Sequence, residues 1–214
     1  MSNIPDWIGV HKNVLTKNEC KSIIKFCNGK MYNHKLNSNL TDASSNGYRT
    51  SNQYWIELNE TIDKKIRKFT SEITKQPINH QERTSVIKYE NGQEYKSHYD
   101  CWYYSKNTSK YNRYITLPGN TDRVMTCIFY LNEGYEGGET GFPLLDLAVK
   151  AETGMCISYV NMFDENTPNK ESLHCGLPVI KGVKYIATKW VHFTPFKVIK
   201  RKHFLNRINF NKNK

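Results

Sequence analysis

Apolar residues recur along this chain with two different periods, and the change of period divides it. From Thr16 to Gly29, Cys20, Ile23, Ile24 and Cys27 fall at i, i+3, i+4 and i+7, which is one face of a helix. Thr16 with Glu19 three residues later fits a capping box, and Asn28-Gly29 supplies the stop. That placement makes Cys20 and Cys27 core side chains rather than a redox pair. A second helix is predicted from about 60 to 75, with Ile62, Ile66, Phe69 and Ile73 on one face and Pro77 behind it. Residues 50–57 read as a strand, and residues 30–48, rich in Asn and Ser, as a loop.

After residue 84 the texture becomes that of strands. Thr84–Tyr89 and Tyr95–Trp102 flank Asn91-Gly92, which predicts a hairpin. Residues 103–122 are polar, carry several Tyr and predict a long loop. Arg123–Leu131, Glu139–Phe142, Gly154–Val160 and Lys184–Phe193 are further strands, with Gly137-Gly138 breaking the chain before the second of them. Two helices followed by about eight short strands predict an α+β protein with a β-sandwich or barrel core. We expect one catalytic domain over 1–214: a supporting region at 1–83, a core at 84–194 and a tail at 195–214.

Composition narrows the class. The chain has 214 residues, 38% hydrophobic and 24% charged, which excludes a fibrous or wholly disordered protein. No apolar run approaches the roughly 18 residues that span a bilayer, and MSNIPDWIGV does not read as a secretory signal. The six cysteines are scattered without a CxxC and read as reduced thiols. A soluble intracellular protein is therefore expected, and the wealth of Asn, Lys and Ile points to an AT-rich coding genome such as a virus carries in its host's cytoplasm.

The net charge of +11 is uneven, because Lys197–Lys214 contains seven Lys or Arg and no acid. A solvated terminus is the simpler reading of that tail; an electrostatic contact with nucleic acid or an acidic partner is the sharper one.

The candidate chemistry lies in His98-Tyr99-Asp100. Residues i and i+2 of a strand share a face, so His98 and Asp100 would converge while Tyr99 faces away. They form two thirds of a 2-His-1-carboxylate triad, which binds Fe(II) and leaves positions open. Alone, this His-x-Asp arises by chance in roughly one such chain in four or five. A third ligand must come from a distant strand, and His174 lies 76 residues downstream. Lys184 follows it by 10 residues, at the start of a strand. An O2 oxidation at such an iron needs a co-substrate that chelates the metal and supplies electrons. A 2-oxo acid does both, and its far carboxylate needs a fixed cation, which Lys184 offers. His11, His34, His80, His192 and His203 have no partner at ligand spacing and read as structural or solvated.

Three blocks in order resemble the prolyl 4-hydroxylases of the Fe(II)/2-oxoglutarate dioxygenase superfamily. The first is Val86-Ile87-Lys88-Tyr89 through Gln93-Glu94-Tyr95-Lys96-Ser97-His98-Tyr99-Asp100. The second runs from Arg123-Val124-Met125-Thr126 through Tyr130-Leu131-Asn132 to Gly137-Gly138-Glu139-Thr140 and Phe142-Pro143. The third is Ser172-Leu173-His174, Gly176, Pro178-Val179-Ile180, Gly182, Lys184 and Thr188-Lys189-Trp190. The helix at Thr16–Gly29 and Arg49-Thr50-Ser51 look like the family's N-terminal part. The resemblance covers about Leu15 to Phe193. The chain departs from it at Gly119–Arg123, where the family often has Gly-Gly-Gln-Arg, and in the Tyr- and Lys-rich stretch 101–122.

The resemblance implies a double-stranded β-helix, a jelly-roll of two facing sheets, with the N-terminal helices packed on one of them. It implies His98, Asp100 and His174 as metal ligands and Lys184 as partner of the C5 carboxylate of 2-oxoglutarate. Tyr89 would hydrogen-bond that cosubstrate, Thr126 would sit beside it, and Tyr95 and Trp190 would lie near the peptide groove. The implied cofactors are Fe(II), 2-oxoglutarate and O2, with L-ascorbate as accessory reductant. The implied partner is a proline-containing peptide or protein, hydroxylated as 2-oxoglutarate is decarboxylated to succinate and CO2. Alternatives are the same cofactor chemistry on peptidyl lysine or nucleic acid, the latter supported only by the basic tail, or a binding module that keeps the fold.

Overall fold

The computed structural model describes residues 4–33, 49–101 and 122–196. The basic tail from Lys197, most of the predicted 103–122 loop and most of the Asn-rich 30–48 stretch lie outside these residues. A seven-stranded antiparallel sheet has the order β1 (Ile8–His11), β10 (Cys156–Val160), β6 (Arg123–Tyr130), β13 (Lys184–His192), β4 (Ser85–Tyr89), β3 (Asn52–Trp55) and β2 (Tyr32–Asn33). A four-stranded sheet has the order β5 (Tyr95–His98), β11 (His174–Gly176), β8 (Thr140–Phe142) and β9 (Leu147–Val149). A further pair joins β12 (Val179–Lys181) to β7 (Glu136–Gly137).

The large sheet is buried on both faces, and side-chain alternation decides which residue serves which face. Val86, Cys127, Phe129, Cys156 and Ala187 point to one side. There they meet Cys20, Ile23 and Cys27 of helix α1 (Lys17–Cys27) and Ile66 of helix α2 (Lys64–Thr74). Their sequence neighbours Ile87, Ile128, Ile157 and Ile186 point to the other side and pack with Phe142 and Val149 of the four-stranded sheet. α1 starts at the predicted capping box: Thr16 Oγ1 accepts from the Glu19 amide, and the Glu19 carboxylate accepts from the Thr16 amide. Its apolar stripe needs a partner to be stable in water, and the sheet face supplies it. At Gly154 (φ +84°), a Cβ would stand 2.0 Å from the Leu15 carbonyl oxygen, so the chain before α1 is pressed against the turn before β10.

Two sequence expectations need correction. The Asn91-Gly92 turn is present, with Gly92 at φ +75°, but its flanking strands are not a hairpin. β4 pairs with β3 and β13, whereas β5 pairs with β11 in the other sheet. The turn is instead tied to β12, through Gly92 N–H to the Val179 carbonyl and Val179 N–H to the Gln93 carbonyl. A local turn signal says that the chain reverses; which strands then pair is set by burial of both faces of each sheet. The strand predicted over Tyr95–Trp102 also ends at His98. Among the described residues there are more strands than the eight expected, the extra ones being two to four residues long. No described helix is long and apolar enough to cross a membrane.

Candidate metal centre and its cavity

The last residue of β5 and the first of β11 are opposite each other, so pairing alone brings His98 to His174. Their ring centroids are 4.2 Å apart. Asp100 lies two residues beyond the end of β5, where the chain has left the sheet. Its Oδ1 is 3.7 Å from His98 Nε2 and its Oδ2 is 3.5 Å from His174 Nε2. One ligand atom from each of these three residues lies within 4.8 Å of the others, and among the described residues they are the His, Cys, Asp or Glu cluster able to hold a metal ion.

Hydrogen bonding fixes what these atoms present. His98 Nδ1 lies 2.8 Å from the Lys96 carbonyl and His174 Nδ1 lies 2.9 Å from the Ser172 carbonyl. A carbonyl only accepts, so both Nδ1 atoms carry hydrogen, and each ring turns Nε2, the nitrogen able to offer a lone pair, toward Asp100. Burial, then the neighbouring His174, pushes the His98 pKa down to about 3, which keeps that lone pair free. Burial by itself would raise the Asp100 carboxyl; His174, His98 and Arg123 outweigh it and hold the group well below the usual carboxylate range. Two imidazole lone pairs and a carboxylate thus converge in a buried site, an arrangement that suits a divalent cation.

Asp100 Oδ2 is held from two sides. Thr126 Oγ1 donates to it at 2.7 Å and the Tyr159 hydroxyl lies 2.9 Å away. The Tyr159 hydroxyl is also 2.8 Å from His174 Nε2. Asn161 Nδ2 donates to Thr126 Oγ1 at 2.8 Å. Thr126, expected beside the cosubstrate, thus has its hydroxyl turned to Asp100.

The cavity beside the triad is walled by Arg49, Tyr89, Tyr95, Gly176, Lys184 and Trp190, among others. Lys184, only 2% exposed, opens β13, and its Nζ stands 5.1 Å from the Tyr89 ring centroid. Burial lowers its pKa to about 8, with Glu139 opposing the shift. The Tyr95 ring lies on His98, with the Arg49 guanidinium 5.0 Å from its centroid. Arg49 Nε donates to Ser51 Oγ at 3.0 Å, while its buried Nη2 has no hydrogen-bond partner. Trp190 shares the inner face of β13 with Lys184, as the even spacing predicts. It is covered by Arg123, whose guanidinium is 4.1 Å from the ring centroid. Arg123 is fixed by Glu82, at 2.6 and 3.1 Å, and His192 Nε2 meets the same carboxylate at 3.0 Å. His192 thus has a buried structural partner.

All eight residues singled out from sequence therefore lie at or beside one cavity. Sequence reasoning missed Tyr159, Asn161 and the Glu82–Arg123–His192 cluster. Alternation within the predicted Gly154–Val160 strand would have put Tyr159 on the inner face. Only the pairing of β10 with β6, which sets Tyr159 opposite Thr126, brings its hydroxyl to Asp100.

Comparison with known proteins points the same way. The model of the 2OG-Fe(II) oxygenase superfamily matches residues 84–192. Prolyl 4-hydroxylase 13 of Arabidopsis thaliana is 30% identical over 196 residues, covering 84% of this chain and 68% of that protein. A putative prolyl 4-hydroxylase of Acanthamoeba polyphaga mimivirus is 30% identical over 183 residues, covering 85% and 72%. The structure of a viral collagen prolyl hydroxylase from Paramecium Bursaria Chlorella virus-1, solved as its 2OG complex, matches with a TM-score of 0.65 and 27% identity, covering 87% of this chain and 96% of that one.

Proposed function

The chain belongs to the 2OG-Fe(II) oxygenase superfamily, a prolyl 4-hydroxylase-like enzyme with the double-stranded β-helix fold, and from that premise we propose that it hydroxylates peptidyl proline at C4. The observation that carries this reading is the convergence of the His98, Asp100 and His174 lone-pair atoms beside a cavity that contains one buried ammonium, Lys184. Fe(II) held by these residues would supply, with 2-oxoglutarate and O2, the oxidising chemistry, 2-oxoglutarate being converted to succinate and CO2; L-ascorbate would serve as accessory reductant.

The protein's own residues bind, orient and exclude water. His98 and His174 give Nε2, with each ring held in one tautomer by a backbone carbonyl. Asp100 gives a carboxylate that its neighbours keep ionised. Lys184 meets the C5 carboxylate of 2-oxoglutarate, and that anion offsets the cost of a buried ammonium. Tyr89, whose ring wall stands beside Lys184, hydrogen-bonds the same cosubstrate. Tyr95 and Trp190 flank the mouth and hold an extended, polyproline-like peptide against aromatic surface. Selectivity arises from which C–H bond these side chains hold nearest the metal.

The test is mass spectrometry of a panel of proline-rich peptides incubated with the enzyme, Fe(II), ascorbate and 2-oxoglutarate. The expected product is heavier by one oxygen atom, located at C4 of proline. Oxygen found only on lysine, or on a nucleobase, would keep the metal chemistry and overturn the substrate.

A further inference from the structure

Tyr159 offers one hydroxyl hydrogen to two acceptors. His174 Nε2 is 2.8 Å from its oxygen and Asp100 Oδ2 is 2.9 Å away. Both atoms can accept: His174 Nδ1 already points its hydrogen at the Ser172 carbonyl, which leaves Nε2 as the accepting nitrogen, and Asp100 Oδ2 is a carboxylate oxygen. The phenol is fully buried, and its hydroxyl has one hydrogen to donate. Two acceptors therefore compete for one phenol hydrogen.

A cation removes the conflict. His174 Nε2 would give its lone pair to a bound cation, and the single phenol hydrogen would then be free to bond Asp100 Oδ2. That oxygen already accepts from Thr126. With two donors on Oδ2, the oxygen left for the metal is Oδ1, the one facing His98 Nε2 at 3.7 Å.

Resting on the triad reading above, we propose that Tyr159 is a positioning residue: together with Thr126 it holds Asp100 Oδ2, so that Asp100 ligates through Oδ1 alone and a second chelating oxygen does not take up a position needed by 2-oxoglutarate or O2. The phenol ring itself is packed edge-on against Phe142, with centroids 5.3 Å apart, so a phenylalanine preserves the packing and deletes only the hydroxyl.

The experiment titrates Mn(II), a redox-silent probe, into the full chain and follows free Mn(II) by electron paramagnetic resonance. Tyr159→Phe should weaken binding about tenfold or more, the usual cost of losing a partner to a metal ligand. Thr126→Val, which removes the other donor at similar volume, should weaken it in the same sense. The visible bands of the Co(II)-loaded chain should shift in Tyr159→Phe as the freed Oδ2 approaches the ion. They should not shift in Tyr130→Phe, which deletes an equally buried phenol hydroxyl that bonds Thr140 instead. Melting of the metal-free variants checks the fold, and if Tyr159→Phe does not fold, Thr126→Val and its Co(II) bands carry the test. Wild-type affinity and an unshifted spectrum in the folded variants overturn the proposal while leaving the metal site intact. A wild-type chain that binds no Mn(II) overturns the triad reading and this inference with it.

Discussion

Tyr95 stacks on His98 with ring centroids 3.6 Å apart and planes inclined by 21°, although the two are three residues apart on one strand and strict alternation sends them to opposite faces. The pairing explains it. His98 lies opposite His174 and Tyr95 opposite Gly176, so β5 spends three residues where β11 spends two. That irregularity is a β-bulge, and one extra residue turns Tyr95 onto the face that carries the candidate metal ligands. Tyr95 is thereby in contact with the His98 ring rather than merely near the rim.

Loss of any of the three candidate ligands should abolish metal binding. We expect His98→Ala, Asp100→Ala and His174→Ala each to lose Fe(II)- or Mn(II)-dependent stabilisation and 2-oxoglutarate decarboxylation. Binding isotherms and succinate release check this, and full decarboxylation in any one variant excludes that residue from the ligand set.

Lys184→Ala should raise the KM for 2-oxoglutarate with metal affinity nearly unchanged, because a hydrogen bond to a charged group is worth about 1.5–3 kcal/mol. The pH dependence has a definite sign. Burial brings the Lys184 pKa to about 8, below its usual 10.5, and the ammonium is the form that pairs with a carboxylate. The wild-type KM should therefore rise as pH passes above about 8, and Lys184→Ala should flatten that rise. An unchanged KM in the variant would show that another cation holds the carboxylate.

Trp190 should matter more to peptide than to cosubstrate. The ring is 6% exposed and sandwiched between Arg123 and Trp55, so truncation to alanine risks the fold. Trp190→Phe keeps an apolar ring there. It should reduce peptide hydroxylation severalfold while uncoupled decarboxylation of 2-oxoglutarate continues, both read as succinate release with and without peptide. An equal loss of both would place Trp190 in the scaffold.

Glu82 supplies a stability prediction at low pH. Burial opposes its ionisation, but Arg123 and His192 overcome this and bring the pKa from 4.5 to about 2. A carboxyl with a depressed folded pKa stabilises the fold above its unfolded value and loses that contribution as pH falls through the folded one. Thermal midpoints should therefore drop between about pH 4.5 and pH 2. Glu82→Gln should weaken that pH dependence and cost about 3–5 kcal/mol near neutrality, because it leaves buried Arg123 uncompensated.

Gly154→Ala tests the fold away from the cavity. The position has φ +84°, and the new Cβ would meet the Leu15 carbonyl oxygen at 2.0 Å. Strain and collision together should cost more than about 2 kcal/mol, lowering the melting midpoint by roughly 4–8 °C or more. An unchanged midpoint would mean that the Leu15 segment moves away freely.

The local elements of this protein are written in its residues. α1 and its cap follow from Thr16, Glu19 and the Cys20–Ile23–Cys27 stripe, because a helix tests its own period within a few residues. β6 and β13 are legible as apolar runs, and the His98, Asp100, His174 and Lys184 set is legible because its resemblance to a known family ties those four positions to one cavity. Tertiary structure decided what no local window contains. Strand pairing across 76 residues sets His174 against His98, and a bulge aims Tyr95. The strands flanking Asn91-Gly92 part into different sheets: apolar β4 pairs inside the large sheet, whereas β5, whose Lys96 and Ser97 are exposed, pairs with β11. Tyr159 became part of the site for the same reason: alternation chose its face, but only the β10–β6 register put one phenol hydrogen between a carboxylate and an imidazole. Register is a property of two segments at once, and free energy assigns it through burial that exists only when both have arrived.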